Sequence, residues 1–263
     1  MIHPLCRDII INLKINRFVE TGTYSGETVS IVSQWLQKSD PDFGTIKGKI
    51  HNEYLMQFIN NGRTPSYPVF DGSKESSSVK LYSVDVDERR QSELALVFNS
   101  NPNIKLICAS SEKFLSDSIK NGLFTDNQNC FFYLDAHWGA YWPLRDEIRE
   151  ILKLKHAVIA IDDFAVPFHL GAGYDVYKLK ACSWFYIRDL FKNRPIHVYY
   201  PKKTNIDKRG SIFIFIGYED KDLNFMKILP CFQPVIKGEP FVTSIGILQN
   251  MFMVGAIIFF KRI

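Results

Sequence analysis

No two cysteines in this chain are spaced as CxxC. The five present (Cys6, Cys108, Cys130, Cys182 and Cys231) are odd in number and scattered over 263 residues. That argues against both a zinc knuckle and a disulfide framework and fits a reducing compartment. Cys108 and Cys130 fall inside apolar, strand-like runs and read as small buried hydrophobes. A GxGxxG fingerprint is absent, and so is GxxxxGK[ST]. Neither a dinucleotide enzyme nor a lysine-cradled phosphate loop is therefore favoured. A concentrated basic face is missing too. The net charge is only +4, with both signs interspersed, so no nucleic-acid partner is expected. The one basic cluster, 201–209 (PKKTNIDKR), reads as a solvated hairpin loop. The opening MIHPLCRDIIINLK turns polar too soon for a signal peptide, and a cytoplasmic location is expected. No internal repeat is visible.

What is present is enough apolar material for a full core: 46% hydrophobic and 14% aromatic residues. Residues 1–220 read as one α/β domain and 221–263 as a C-terminal extension. Within the extension, residues 241–260 carry no charge and are followed by Lys261 and Arg262. Two readings stand for that run. It could be two buried strands turning at Gln249–Asn250. It could instead be a tail that associates with a membrane, although polar residues in mid-span disfavour insertion.

Strand-like and helix-like segments alternate along the first 220 residues. Arg17–Glu20 reads as a strand, and helical spacing runs from Glu27. Residues 39–78 are rich in proline, glycine and serine and read as an insertion with a short helix near 53–60; it could serve as a lid or be a surface excursion. Strands follow at 79–86, 104–108, 130–135, 157–161, 196–200 and 211–218, with helices at 88–99, 112–121, 143–154 and 181–193. Continuous apolar strands separated by helices imply a Rossmann-like, doubly wound, mostly parallel sheet of seven strands with helices on both faces. The last two strands, joined by a loop, suggest an antiparallel hairpin at one edge.

In such sheets a ligand sits beyond the carboxyl ends of the strands. Here those ends are polar while the strand interiors are apolar. The first gives Glu20, then Gly22, Thr23, Tyr24, Ser25 and Gly26 before a helix N-terminus, where free N–H groups and a close-approaching backbone favour a nucleotide-like ligand. The second ends at Asp85, suited to accept from both hydroxyls of a ribose; Asp87 reads as a helix-start residue. Next come Ser110 and Ser111, then Asp135-Ala136-His137-Trp138, then Asp162-Asp163.

The order ETGTYSG, YSVDVD, SSEKFL, FFYLDAHW and IAIDDF resembles class I S-adenosylmethionine-dependent methyltransferases over roughly residues 17–218. The resemblance implies S-adenosylmethionine as cofactor. Glu20, Gly22 and Gly26 would hold its methionine part, with Asp85 at the ribose, Ser110 and Ser111 beside the adenine, and Asp135 near the amine and the reacting methyl. Tyr24 stands where that family has its middle glycine, and would cover the cofactor. A nucleotide- or NAD-binding Rossmann enzyme and a non-catalytic binding module remain as alternatives.

Methyl transfer is an in-line displacement, and a hydroxyl acceptor also needs a proton sink. His137 is the first candidate base, because imidazole exchanges protons near neutral pH; His156 and His169 are weaker ones. Asp135 and Asp162 are the other candidate catalytic groups. Asp135, Asp162 and Asp163 could also share a Mg²⁺ ion, partly resembling catechol-type O-methyltransferases, which have Asp–Asn where this chain has Asp162–Asp163. A small-molecule or sugar-like acceptor is expected among Phe164, His169, Tyr174 and Tyr177, with Trp138 and Trp142 opposite and Asp163 at its polar groups.

Overall fold

A computed structural model describes residues 2–39, 80–137, 141–167, 169, 171–205 and 207–233. The expected insertion (beyond residue 39), Trp138 and the 241–260 question lie outside the described residues. Among the described residues, no helix is long and apolar enough to cross a membrane.

The chain opens with α1 (Leu5–Asn12), then β1 (Arg17–Thr21) and α2 (Glu27–Ser39). After the undescribed stretch come β2 (Leu81–Asp85), α3 (Glu88–Phe98), β3 (Ile104–Cys108), α4 (Ser111–Lys120), β4 (Cys130–Leu134), α5 (Leu144–Ile151) and β5 (Ala157–Ile161). A small hairpin, β6 (Val176–Tyr177) with β7 (Lys180–Ala181), precedes α6 (Trp184–Ile187) and a 3₁₀ turn, Arg188–Phe191. The series closes with β8 (Ile196–Pro201), β9 (Ile212–Ile216) and β10 (Cys231–Phe232).

The main sheet runs β10-β8-β9-β5-β4-β1-β2-β3. β3, β2, β1, β4 and β5 are parallel neighbours, whereas β9 is antiparallel to both β5 and β8. The fold is thus the doubly wound α/β arrangement expected, with eight strands rather than seven. The additional strand, β10, lies beyond residue 220 and pairs with β8. The hairpin differs in detail from the expected edge pair, because β9 inserts between β5 and β8.

Alternation along the strands sorts the core into two layers. Phe18, Phe131, Tyr133, Val158 and Phe213 pack on one face with α1, α2 and α3 through Ile9, Val32 and Phe98. Val19, Phe132, Leu134, Ile159 and Ile214 pack on the other with α4 and α5 through Leu115 and Ile148. With both faces covered, ligands can approach only along the strand ends.

Two expectations need correction. The helix expected over 181–193 is a strand end, one helical turn and a 3₁₀ turn. Cys182 N–H bonds back to the Asp175 carbonyl, which commits the start of that segment to the hairpin. Cys108 is exposed while Cys130 is buried. β3 is the edge strand, so its last residue turns to solvent.

Candidate functional site

The carboxyl ends of β1 to β5 meet along one edge, and the β1 turn is built against two of them. Gly22 has φ 85°, and a Cβ there would lie 2.6 Å from the Asp135 carbonyl oxygen. Only glycine lets the end of β1 pass so close to the end of β4. Tyr24 also takes a left-handed backbone, φ 44°, so the turn follows a path glycine would take although the residue is a tyrosine. Its N–H donates to Asp85 Oδ2 at 3.1 Å, and Asp87 N–H donates to Asp85 Oδ1 at 3.0 Å. The Asp85 carboxylate is therefore fixed beside the turn. Tyr24 is 70% exposed, with the Arg90 guanidinium 4.9 Å from its ring centre. Arg90 also lies 3.8 Å from Asp85. Asp87 caps α3 by accepting from Arg90 N–H, as its sequence position suggested.

Glu20 is placed differently from the expectation. It is buried at 1% exposure, below the turn, where Ser83 Oγ donates to it at 2.5 Å. Ser83, Thr23 and Gln91 continue that chain of contacts. Burial pushes the Glu20 carboxyl up to about 8, with hydrogen bonds from Ser83 and Thr28 partly offsetting it. Glu20 thus braces the turn from inside the sheet. Ser25 is half-buried in the turn, and Ser110 precedes α4 in extended conformation. Ser111 is fully buried, with a hydroxyl that has no hydrogen-bond partner.

Beyond β4 and β5 lies a small cleft lined by acids. Asp135 is half-buried at its wall, and its carboxyl is held well above the usual range by burial, then by Asp162, Asp163 and Glu20. Asp162 accepts from Tyr133 Oη at 2.6 Å and Ser211 Oγ at 3.0 Å. Burial raises its carboxyl and these donors oppose the rise. Asp163 has φ 51° and accepts from Arg209 Nε at 2.5 Å; Arg209 also pairs with Asp175. His137 is exposed, its Nε2 3.8 Å from Asp175 Oδ2. Trp142 lines the cleft and stacks on Tyr186 with ring centres 4.7 Å apart.

The structure brings Asp135, His137, Trp142, Asp162 and Asp163 to one cleft. His169 and Tyr174 are half-buried in the loop after β5 and are not among the residues lining it. Tyr177 does not line it and contacts Trp142 at its wall. Phe164 is fully buried against Tyr200 and is a core residue, not an acceptor contact. His156 sits at the opposite end of β5, against Tyr218.

The Mg²⁺ expectation does not fit this donor set. Asp162 is engaged by two hydroxyl donors, and Asp163 by a guanidinium that would repel a cation. Among the described residues, no group of three His, Cys, Asp or Glu side chains is placed to hold an ion. The residues do fit the cofactor better. Toward it the chain offers the Asp85 carboxylate, fixed beside the Tyr24 turn by two backbone donors.

Three contributors escaped the sequence reading. Arg209 belongs to the segment read as a solvated loop, yet it pairs with Asp163 and Asp175 of the cleft wall. Tyr133 looked like one more aromatic in a buried strand. Glu147 is fully buried in the cleft wall, with its carboxyl pushed up to about 7 by burial. A signal for it existed: it falls on the apolar stripe Leu144, Ile148 and Ile151 of α5, where a charge is out of place.

No protein-family model matches the chain, and no curated protein sequence matches it. Solved structures resemble it in fold. A protein provisionally named as a methyltransferase from Thermobifida fusca YX aligns with TM-score 0.47 and 11% identity, covering 80% of this chain and 76% of that one. The CMeT domain of the citrinin polyketide synthase aligns at 0.44 and 12%, covering 78% of this chain and 47% of that one. A SAM-dependent methyltransferase from Archaeoglobus fulgidus aligns at 0.40 and 9%, covering 81% and 90%. The chain has a Rossmann-like, doubly wound α/β fold. Likenesses this distant carry no argument about its chemistry.

Proposed function

We propose that the protein is an S-adenosylmethionine-dependent methyltransferase acting on oxygen of a small-molecule or sugar-like acceptor. The observation that carries this reading is the joining of Gly22, Asp85 and Asp135 at one edge. The glycine turn packs on the Asp135 backbone, and its Tyr24 N–H is fixed to Asp85.

When bound, the cofactor would supply a methyl group on a sulfonium, with the neutral thioether as leaving group. The chain's own residues bind and orient. Asp85, held by two backbone donors, keeps lone pairs for ribose hydroxyls. Tyr24 and Arg90 cover the turn from the solvent side. Ser110 and Ser111 stand at the start of α4, where free N–H groups face the same edge. At the cleft, His137 takes the proton that the acceptor hydroxyl loses, and Asp175 stabilises the resulting imidazolium across 3.8 Å.

Calorimetric titration with S-adenosylhomocysteine tests the reading. Binding is expected, and NAD⁺ is expected to give none. Absence of heat from folded protein would remove the methyltransferase reading.

A further inference from the structure

One acid in the cleft wall has nothing bonded to it. Glu147 is completely buried, and neither carboxylate oxygen has a hydrogen-bond partner. The Thr21 and Ser111 hydroxyls lie near enough to favour its ionised form but outside hydrogen-bond geometry, and both are themselves unpartnered. Buried polar groups in folded proteins find partners, so a set of orphans at one place marks where a ligand or water belongs.

The charges around the cleft indicate what kind of ligand. Asp163 and Asp175 share Arg209, and His137 stands beside Asp175. Asp162 accepts from Tyr133 and Ser211. Asp135 and Glu147 remain, with no cation paired to either among the described residues. The room in the cleft is that of a single water-sized group, which suits an ammonium and is too small for a guanidinium.

We propose that Glu147 is the counter-ion for an ammonium group on the acceptor, which is therefore an amino alcohol or amino sugar. This deepens the methyltransferase reading and rests on it for the word acceptor. It also bears on where the methyl goes. An amine held as ammonium has no lone pair and cannot be methylated. The new C–O bond forms at a hydroxyl of the same molecule as the S–CH₃ bond breaks, and the hydroxyl proton passes to His137.

Side-chain carboxyl NMR on ¹³C-glutamate-labelled protein reads Glu147 directly, with its resonance assigned by Glu147→Gln. The probe is methylammonium, and methanol is its neutral counterpart. Methylammonium is expected to move the Glu147 resonance saturably, with methanol leaving it in place. Glu147→Gln is expected to weaken methylammonium binding about tenfold or more, followed by Trp142 indole and Leu144 amide shifts. Glu147→Asp, which keeps the charge, should retain part of the affinity and guards against a folding artefact. No response to methylammonium, with or without S-adenosylhomocysteine present, overturns the proposal. S-adenosylhomocysteine carries the cofactor's own ammonium, and 5′-methylthioadenosine lacks it. If the first shifts Glu147 and the second does not, the ammonium belongs to the cofactor and the acceptor assignment is overturned. Should S-adenosylhomocysteine fail to bind while methylammonium still moves Glu147, the methyltransferase reading falls and the ammonium site stands.

Discussion

Arg209 Nε donates to Asp163 at 2.5 Å while its terminal nitrogen pairs with Asp175, so one guanidinium clamps the loop after β5 to the β8–β9 loop. The backbone supports the same junction: Phe164 N–H donates to Gly210 O at 2.9 Å, and Gly210 N–H to Gly173 O at 2.9 Å. Arg209→Ala would leave two carboxylates facing Asp135 and Asp162 without their cation. The groups are partly exposed, so the expected cost is roughly 1–2 kcal/mol, between that of a surface pair and a buried one. Arg209→Lys keeps the charge but loses the fork and should recover only part. Urea denaturation of the three proteins measures the series; a wild-type midpoint for the alanine variant would refute the clamp.

Asp85 is the second test. Its carboxylate orders the Tyr24 turn through one oxygen and the start of α3 through the other. Asp85→Ala should therefore lower S-adenosylhomocysteine affinity about 10–100-fold, as the ribose acceptor and the turn are lost together. Asp85→Asn preserves the shape and can still accept through one oxygen, so a smaller loss is expected. Calorimetry on both variants, each shown folded by circular dichroism, gives the comparison; equal affinity in all three would rule out the ribose role.

Glu20 should impose a pH dependence on stability. Its carboxyl lies near 8 when folded, against an ordinary value of 4.5. A raised carboxyl favours the protonated fold. The contribution is complete below about pH 4.5 and declines as pH rises, until it is lost above about pH 8. Stability should therefore fall through that window, by an amount on the order of a few kcal/mol. Glu20→Gln, neutral at every pH, should flatten the decline and be the more stable protein at pH 9. Thermal melts from pH 5 to 9 provide the check, and parallel curves for the two proteins would contradict it.

The parts of this molecule legible in the sequence are those set by local pattern. Apolar runs bounded by glycine and acids marked β1 to β5, and strand-end position marked Asp85, Asp135 and Asp162. Pairings between distant segments were not legible. Arg209 is 46 residues from Asp163, and nothing in PKKTNIDKR separates a clamp from a solvated loop. Phe164 misled for a related reason. It follows the two aspartates as a loop aromatic would, yet the chain turns inward there, at Asp163 with φ 51°. Tyr24 takes a left-handed backbone without being glycine, which its residue type alone does not reveal. The β10 strand is two residues long, too short to leave a periodic signal.

Tyr133 offers a test of how the cleft is supported from within the core. Its hydroxyl is buried and donates to Asp162 Oδ2 at 2.6 Å, while Ser211 Oγ and Asn205 Nδ2 donate to Oδ1 at 3.0 and 3.5 Å. Tyr133→Phe keeps the ring packing and removes only the donor. The expected loss is about 1–3 kcal/mol, the cost of stripping one partner from a buried charged group. With that donor gone, the Asp162 carboxyl should rise further, because the Tyr133 bond is the chief influence holding it down. Asp162→Asn in the Tyr133→Phe background should then recover part of the loss, since a neutral amide tolerates the site better than a carboxylate that has lost its shortest donor. A double-mutant cycle by urea denaturation measures the coupling. Additive single-variant effects would show that the two groups do not act together.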